Sequence, residues 1–215
     1  METFFQQFDW QGLLSLLGRV AGVFLCLTVH ETCHGLAALA LGDPTARSMH
    51  RLSLNPLRHI DWFGLAMMFA VGFGWAKPVP VDPRYFKRPK QGMALTALAG
   101  PVSNLLLAAL LIAISKAIYL YMPYGAFGET AFTFCLLTAA PLSVGLGLFN
   151  LLPIPPLDGS KVLAAALPDR AYGTLMRYER IGILVLLALS FTGVTGGLIS
   201  GAIQRVYVLL LNLFY

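Results

Sequence analysis

The amino-acid sequence predicts an all-α polytopic membrane protein, on three observations. Of its 215 residues 57% are hydrophobic, and the mean hydropathy is +0.72. Only 12% are charged, about half the share of an ordinary soluble domain. The apolar residues gather into five or six hydrophobic segments, most of them long enough to cross a hydrocarbon layer about 30 Å thick as helices.

The first run, Leu13 to Leu41, is too long for a signal-peptide core and follows Glu2 and Asp9 rather than a basic cluster, so it is expected to remain as a helix. It ends at Gly42, suited to a left-handed cap, before Asp43 and Pro44. Runs over about Met93 to Ser115, Thr130 to Leu152, and Ile181 to Ala202 with a tail to Tyr215 are also long enough to span. The last is one helix or two, because Phe191 to Gly197 reads as a turn. Trp62 to Trp75 differs. Its fourteen residues reach about 21 Å as a helix and include Gly64, Gly72 and Gly74, so a short re-entrant segment is expected. Beyond it, Val79 and Val81 alternate with Pro78 and Pro80, which suits a small edge β element or a proline-stiffened loop. With no internal repeat, residues 1–215 read as a single domain, with a core over 13–167 and C-terminal hydrophobic helices over 170–215.

Fifteen Lys and Arg against ten Asp and Glu give a net charge of +5. No basic patch with interleaved aromatics accompanies it, so the expected partner is the lipid bilayer and not nucleic acid. Cys26, Cys33 and Cys135 lie in apolar stretches without C-x-x-C spacing and read as small buried hydrophobes. Trp10, Trp62 and Trp75 fall near segment edges, as interfacial anchors do. His50 and His59 sit in a basic loop, where solvated or phosphate-facing imidazoles are expected.

His30-Glu31-Thr32-Cys33-His34 lies inside the first helix with the H-E-x-x-H spacing of helix-borne zinc sites. Residues four apart share a helix face, so two neutral imidazoles can grip one ion while the adjacent carboxylate reaches a water beside it. On a soluble helix the same pattern arises by chance. Within lipid that alternative weakens, because an unpaired ionisable side chain there costs about 3 kcal/mol or more. A catalytic zinc needs a third protein ligand, and among ten acidic residues Asp158 stands out. It follows Asn150-Leu-Leu-Pro-Ile-Pro-Pro-Leu157, whose prolines break the preceding helix, and it precedes Gly159 at a turn. Taken alone, an Asp there would more often cap a short helix from Gly159 to Leu167.

Together, His30-Glu31-x-x-His34-Gly35, Gly100-Pro101-x-x-Asn104 and Asn150-x-x-Pro153-x-Pro155-Pro156-Leu157-Asp158-Gly159 resemble the site-2 proteases, a family of intramembrane zinc metalloproteases. Asn55 to Asp61 and Gly74 to Val81 resemble the compact prokaryotic branch without PDZ or CBS modules. The resemblance covers about His30 to Lys161, whereas the final 50 or so residues match only in being hydrophobic. It implies one zinc ion per chain on His30, His34 and Asp158, with Glu31 as general base and acid. It also implies a role for Asn150 in substrate handling or at the oxyanion, although an Asn on a membrane helix equally serves as interhelical glue. The substrate implied is a transmembrane protein or peptide, cut in or near its membrane segment.

A shared metal requires the end of the first helix and the Asp158 turn to lie on one side of the membrane. Two crossings separate them, so this holds only if Trp62 to Trp75 does not cross. Residues 42–59, 77–91 and 153–180 then share a face and carry twelve of the fifteen Lys and Arg. Positive-inside bias places that face, and the site, toward the cytoplasmic side of a multi-pass cell-membrane protein. Hydrolysis also needs an extended substrate backbone, which an edge at Gly74 to Val81 could receive through Val79 and Val81. A zinc-binding membrane transporter or a non-catalytic membrane chaperone would use the same ligands without hydrolysis.

Overall fold

A computed structural model describes residues 9–71, 76–123, 125–168, 170–171, 173, 182, 184, 186, 188 and 194–215. In chain order these form α1 (Trp10–Ala40), α2 (Trp62–Val71), α3 (Pro89–Tyr121), α4 (Ala126–Asn150), α5 (Asp158–Ala165) and α6 (Val194–Leu211). Single turns of helix lie at Thr45–Ser48, Pro56–Arg58 and Pro83–Tyr85. Among the described residues three helices, α1, α3 and α4, are long and apolar enough to cross a membrane. Their outward side chains agree, since Leu17, Leu106, Leu110 and Leu137 are each more than half exposed, an arrangement that lipid tolerates and water does not.

α1 starts where Asp9 accepts the Gly12 N–H (2.8 Å) and closes at Gly42, whose φ of 105° is the left-handed cap expected of it. Asp43 follows, fully buried. Its carboxylate accepts the Thr45 hydroxyl and the N–H groups of Thr45 (2.9 Å) and Asp82 (2.7 Å), tying the loop after α1 to the approach to α3.

α1 and α3 pack antiparallel: His34 meets Thr96, and His30, one turn earlier in α1, meets Asn104 two turns later in α3. The end of α1 and the start of α3 therefore share a side, and the chain between them makes no net crossing. The ten residues of α2 reach about 15 Å, half the thickness of the hydrocarbon layer. Residues 72–75, including Trp75, lie outside the described residues; Trp10 and Trp62 are exposed at helix starts.

The small edge β element expected near Gly74 to Val81 does not form among the described residues. Ile60 and Ala76 make one isolated antiparallel bridge, with the Lys77 N–H donating to the His59 carbonyl (2.9 Å). The ladder stops there for a chemical reason. Pro78 and Pro80 have no N–H, and the N–H of Val79 is directed to Glu31 instead.

The core lies between α3 and α4, where Ala108 and Ile112 meet Ala139, Ala140 and Val144, all with no exposed surface. Small residues at such a seam let the two backbones approach, as membrane helices do when packing is their main attraction. α4 widens into π-helical turns over Phe134–Ala139. α6 packs beside it, with the Tyr207 hydroxyl donating to the Leu136 carbonyl (2.8 Å). Of the expected turn at Phe191 to Gly197, residues 191–193 lie outside the described residues and 194–197 already belong to α6.

Candidate metal centre

His30, Glu31 and His34 occupy a buried face of α1. Asp158 reaches them from the other end of the chain. α4 ends at Asn150, Pro153, Pro155 and Pro156 prevent its continuation, and the turn delivers Asp158 into the first turn of α5. The Nε2 atoms of His30 and His34 are 3.0 Å apart, and each is 3.1 Å from Oδ2 of Asp158. Asp158 does not cap its helix, since Leu157 holds the capping position and the carboxylate turns to the imidazoles. Its other oxygen, Oδ1, lies 3.6 Å from Lys161 Nζ. Burial alone would raise the Asp158 carboxyl, but an imidazole that carries a proton on Nε2 hydrogen-bonds its Oδ2 and holds it well below the usual carboxylate range.

One face of α3 closes over this triangle. The Thr96 carbonyl accepts the His34 Nδ1–H (2.7 Å), and the Asn104 side chain lies 3.3 Å from His30 Nδ1. Between them comes Gly100, where a Cβ would run into the His34 ring and stand 2.7 Å from His30 Cε1. Threonine, glycine and asparagine at this four-residue spacing make one helical stripe that fits the two imidazoles and no larger side chain at its centre.

The donor set fits a metal cation. With its proton on Nδ1 facing Thr96, a neutral His34 turns the Nε2 lone pair toward Asp158 and His30 Nε2, and three acceptor atoms then face one point. They all lie within 4.8 Å of one another and all three residues are buried. Two imidazoles and one carboxylate, each imidazole held through its second nitrogen, are the ligand chemistry of catalytic zinc sites.

The triangle opens on a cavity of about 510 Å³ whose wall includes Glu31, Val79, Val81, Asn150 and Lys161. Glu31 Oε2 accepts the Val79 N–H at 3.0 Å. Asn150 is present in the wall, but its Nδ2 donates to the Leu146 carbonyl of its own helix (3.0 Å). Sequence reasoning assigned nothing to Thr96 or Lys161, and Asn104 only as a motif letter. The Thr96 hydroxyl and Asn104 Oδ1 are buried here without a partner among the described residues. The reading of His59 as solvated or phosphate-facing is wrong: it is 3% exposed and its Nε2–H donates to the Ser53 carbonyl (2.7 Å). Cys26 is a buried thiol on the Ala139 carbonyl, as expected.

Over 174 residues the chain is 37% identical to YwhC of Bacillus subtilis (strain 168), which bears the name of a candidate zinc metalloprotease, and the match covers 80% of each chain. The chain belongs to peptidase family M50, the site-2 protease family. The profile of that family, "Peptidase family M50", matches residues 116–192 of this M50 protease, a span that includes Asn150 and Asp158. A second relative, Rip2 of Mycobacterium tuberculosis (strain ATCC 25618 / H37Rv), bears a similar name and is 29% identical over 195 residues, covering 87% of this chain and 72% of its own. No solved structure matches the chain at significance. The M50 protease is thus a zinc metalloprotease by family, with a buried His-His-Asp group suited to a metal ion and three helices able to span a membrane.

Proposed function

We propose that this chain, as one intramembrane domain over 1–215, is a zinc endopeptidase that hydrolyses a peptide bond in or near the transmembrane segment of a membrane protein. The observation that carries the reading is the convergence of His30, His34 and Asp158 in a buried cavity shared with Glu31, among helices of which three are able to span a membrane. His30, His34 and Asp158 hold one zinc ion. When bound, zinc supplies a Lewis acid that makes a water acidic enough to lose a proton near neutral pH.

Glu31 takes that proton as the water oxygen bonds to the scissile carbonyl carbon, and it returns the proton to the amide nitrogen as the carbon–nitrogen bond breaks. The Val79 N–H fixes Oε2 of Glu31, which leaves Oε1 for proton transfer. Thr96 and Asn104 orient the imidazoles, and Lys161 pairs with the second oxygen of Asp158. Val79, Val81 and Asn150 border the path of the substrate as cavity wall. α2 dips into the membrane from the side on which α1 ends and returns. The basic loops 42–59, 77–91 and 153–180 support a cytoplasmic location for that side.

The test is Glu31→Gln in full-length protein reconstituted with a transmembrane test peptide. Zinc content stays at one per chain, and turnover falls by about 100-fold or more, the scale of a lost general base. Turnover at the parent rate would overturn the mechanism. A parent protein that binds zinc but never cleaves would favour the transporter or chaperone reading.

A further inference from the structure

As water adds to a scissile carbon, the carbonyl oxygen gains negative charge, and donors aimed at that oxygen lower the barrier. Apart from the triangle and Glu31, three polar side chains belong to the wall of the metal cavity: Thr96, Asn150 and Lys161. The Thr96 hydroxyl is itself buried and does not face the open space. Asn150, implied for the oxyanion by the family resemblance, is turned along its own helix, where Nδ2 donates to the Leu146 carbonyl one turn back (3.0 Å). Lys161 is placed differently.

It stands on α5 one turn after Asp158, with Nζ 3.6 Å from Oδ1 of that carboxylate. The two form a charge pair, but the separation is too long for a hydrogen bond. The three N–H groups of the ammonium are therefore left without an acceptor among the described residues. The side chain is 30% exposed, so those donors are open to an incoming group. Oδ2, the other oxygen of the same carboxylate, lies 3.1 Å from both imidazole Nε2 atoms. One carboxylate thus separates the ammonium from the point on which the triangle focuses. With the two imidazoles neutral, Lys161 is the one cation among the described residues of this wall, and the wall is otherwise mostly apolar, which strengthens its pull on an anion.

We propose that Lys161 is a catalytic residue, whose ammonium donates a hydrogen bond to the scissile carbonyl oxygen as negative charge develops there. Its long stem and rotatable donors let the head swing from Oδ1 to that oxygen while α5 stays in place. The water oxygen bonds to the carbonyl carbon, and the carbonyl π pair moves onto the oxygen that Lys161 faces. When the carbon–nitrogen bond breaks, that pair returns and the nitrogen leaves with the proton carried by Glu31. Lys161 keeps its own protons throughout. The proposal rests on the reading of the chain as a hydrolase and adds a residue for the charge that this reading creates.

The experiment compares Lys161→Met, which keeps the length and loses the charge, and Lys161→Arg with the parent, full-length and reconstituted with the transmembrane test peptide. Lys161→Met is expected to lower kcat about 100-fold with KM little changed, the scale of one lost oxyanion donor, and Lys161→Arg to recover about tenfold of that. Two binding measurements separate this role from mere support of Asp158. A peptide with a phosphinate at the bond the parent cuts carries the tetrahedral anion, and its affinity for Lys161→Met should fall about as far as kcat. The uncut peptide should bind Glu31→Gln equally well with Lys161 or with methionine at 161. Zinc affinity, read by chelator competition, should change far less than phosphinate affinity.

An unchanged kcat in Lys161→Met, beside a parent that cleaves, overturns the proposal and leaves the hydrolase reading standing. Equal weakening of both peptides, or a loss that merely follows zinc affinity, makes Lys161 a support of Asp158 alone and overturns it too. A selective loss of phosphinate binding in Asn150→Ala but not in Lys161→Met would give the oxyanion to Asn150. A parent that binds zinc and never cleaves removes the hydrolase reading and this proposal together.

Discussion

The main-chain N–H of Val79 donates to Oε2 of Glu31 across 3.0 Å, and it is the one N–H that the Pro78-Val79-Pro80 segment has to give. A carboxylate on a helix able to span a membrane needs such a partner, because unpaired charge is costly within lipid. The flanking prolines keep that donor from being drawn into a sheet ladder.

Val79→Pro therefore removes a support of Glu31 without touching a metal ligand. We expect turnover to fall about 10- to 100-fold with zinc content unchanged, and Val79→Ala, which keeps the N–H, to stay near the parent rate. Cleavage assays paired with metal analysis of the same preparations check both, and full activity of the proline variant would show the bond to be incidental.

Gly100→Ala tests the close approach of α3 to the imidazoles. The added methyl would collide with the His34 ring, so either α3 moves off α1 or the two Nε2 atoms lose their common focus. Zinc affinity should fall at least about 10-fold, which competition with a coloured chelator measures. Unchanged affinity would mean that the stripe is looser than its geometry.

Much of this was legible in the sequence, and the boundary is physical. The spans α1, α3 and α4 follow from apolar runs, the end of α1 from Gly42, and the His30/His34 pair from four-residue spacing. The break that delivers Asp158 follows from three prolines. What the sequence hid depends on contacts between distant segments. The 74–81 region carries a strand-like alternation, yet its hydrogen bonds go to His59 and Glu31, which no local pattern records. His59 sits in a basic, loop-like stretch and is buried all the same, because Ser53 and α1 enclose it. Thr96 lies 62 residues from His34, and its role rests on a carbonyl that any residue could offer.

Asn104 carries a prediction about the tautomer of His30. A metal on Nε2 leaves the His30 proton on Nδ1, which needs an acceptor, and the unpartnered Oδ1 of Asn104 supplies one once the amide is turned by half a revolution. Asn104→Leu, similar in size but without an acceptor, should cost about 10- to 100-fold in zinc affinity. Asn104→Asp keeps the acceptor and should recover most of it. Equal affinity of the leucine variant and the parent would remove Asn104 from the support of the metal.

The orientation of the site is open to a direct check. With the basic loops on the cytoplasmic side, a tag inserted at Arg84 should be digested only when protease reaches the inside of the membrane, whereas one inserted at Glu129 should be digested from outside. The reverse pattern would invert the proposed topology while leaving the geometry of the centre untouched.

Metal removal should act on stability as well as on turnover. Without a cation, three acceptor atoms about 3 Å apart face one another in a buried space, and their repulsion is relieved only when an Nε2 takes up a proton, by a change of tautomer or of charge. Zinc held by the triangle would bind the folded arrangement alone, because His34 and Asp158 are 124 residues apart in the chain. At a free concentration 100 times its dissociation constant it adds about 2.7 kcal/mol. Chelation of the detergent-solubilised protein should therefore lower its unfolding temperature, and zinc should restore it. Magnesium, which prefers all-oxygen octahedral sites, should not. His34→Ala should unfold at one temperature with or without zinc; a zinc-dependent shift that survives this substitution would place the stabilising ion somewhere other than the His30, His34 and Asp158 triangle.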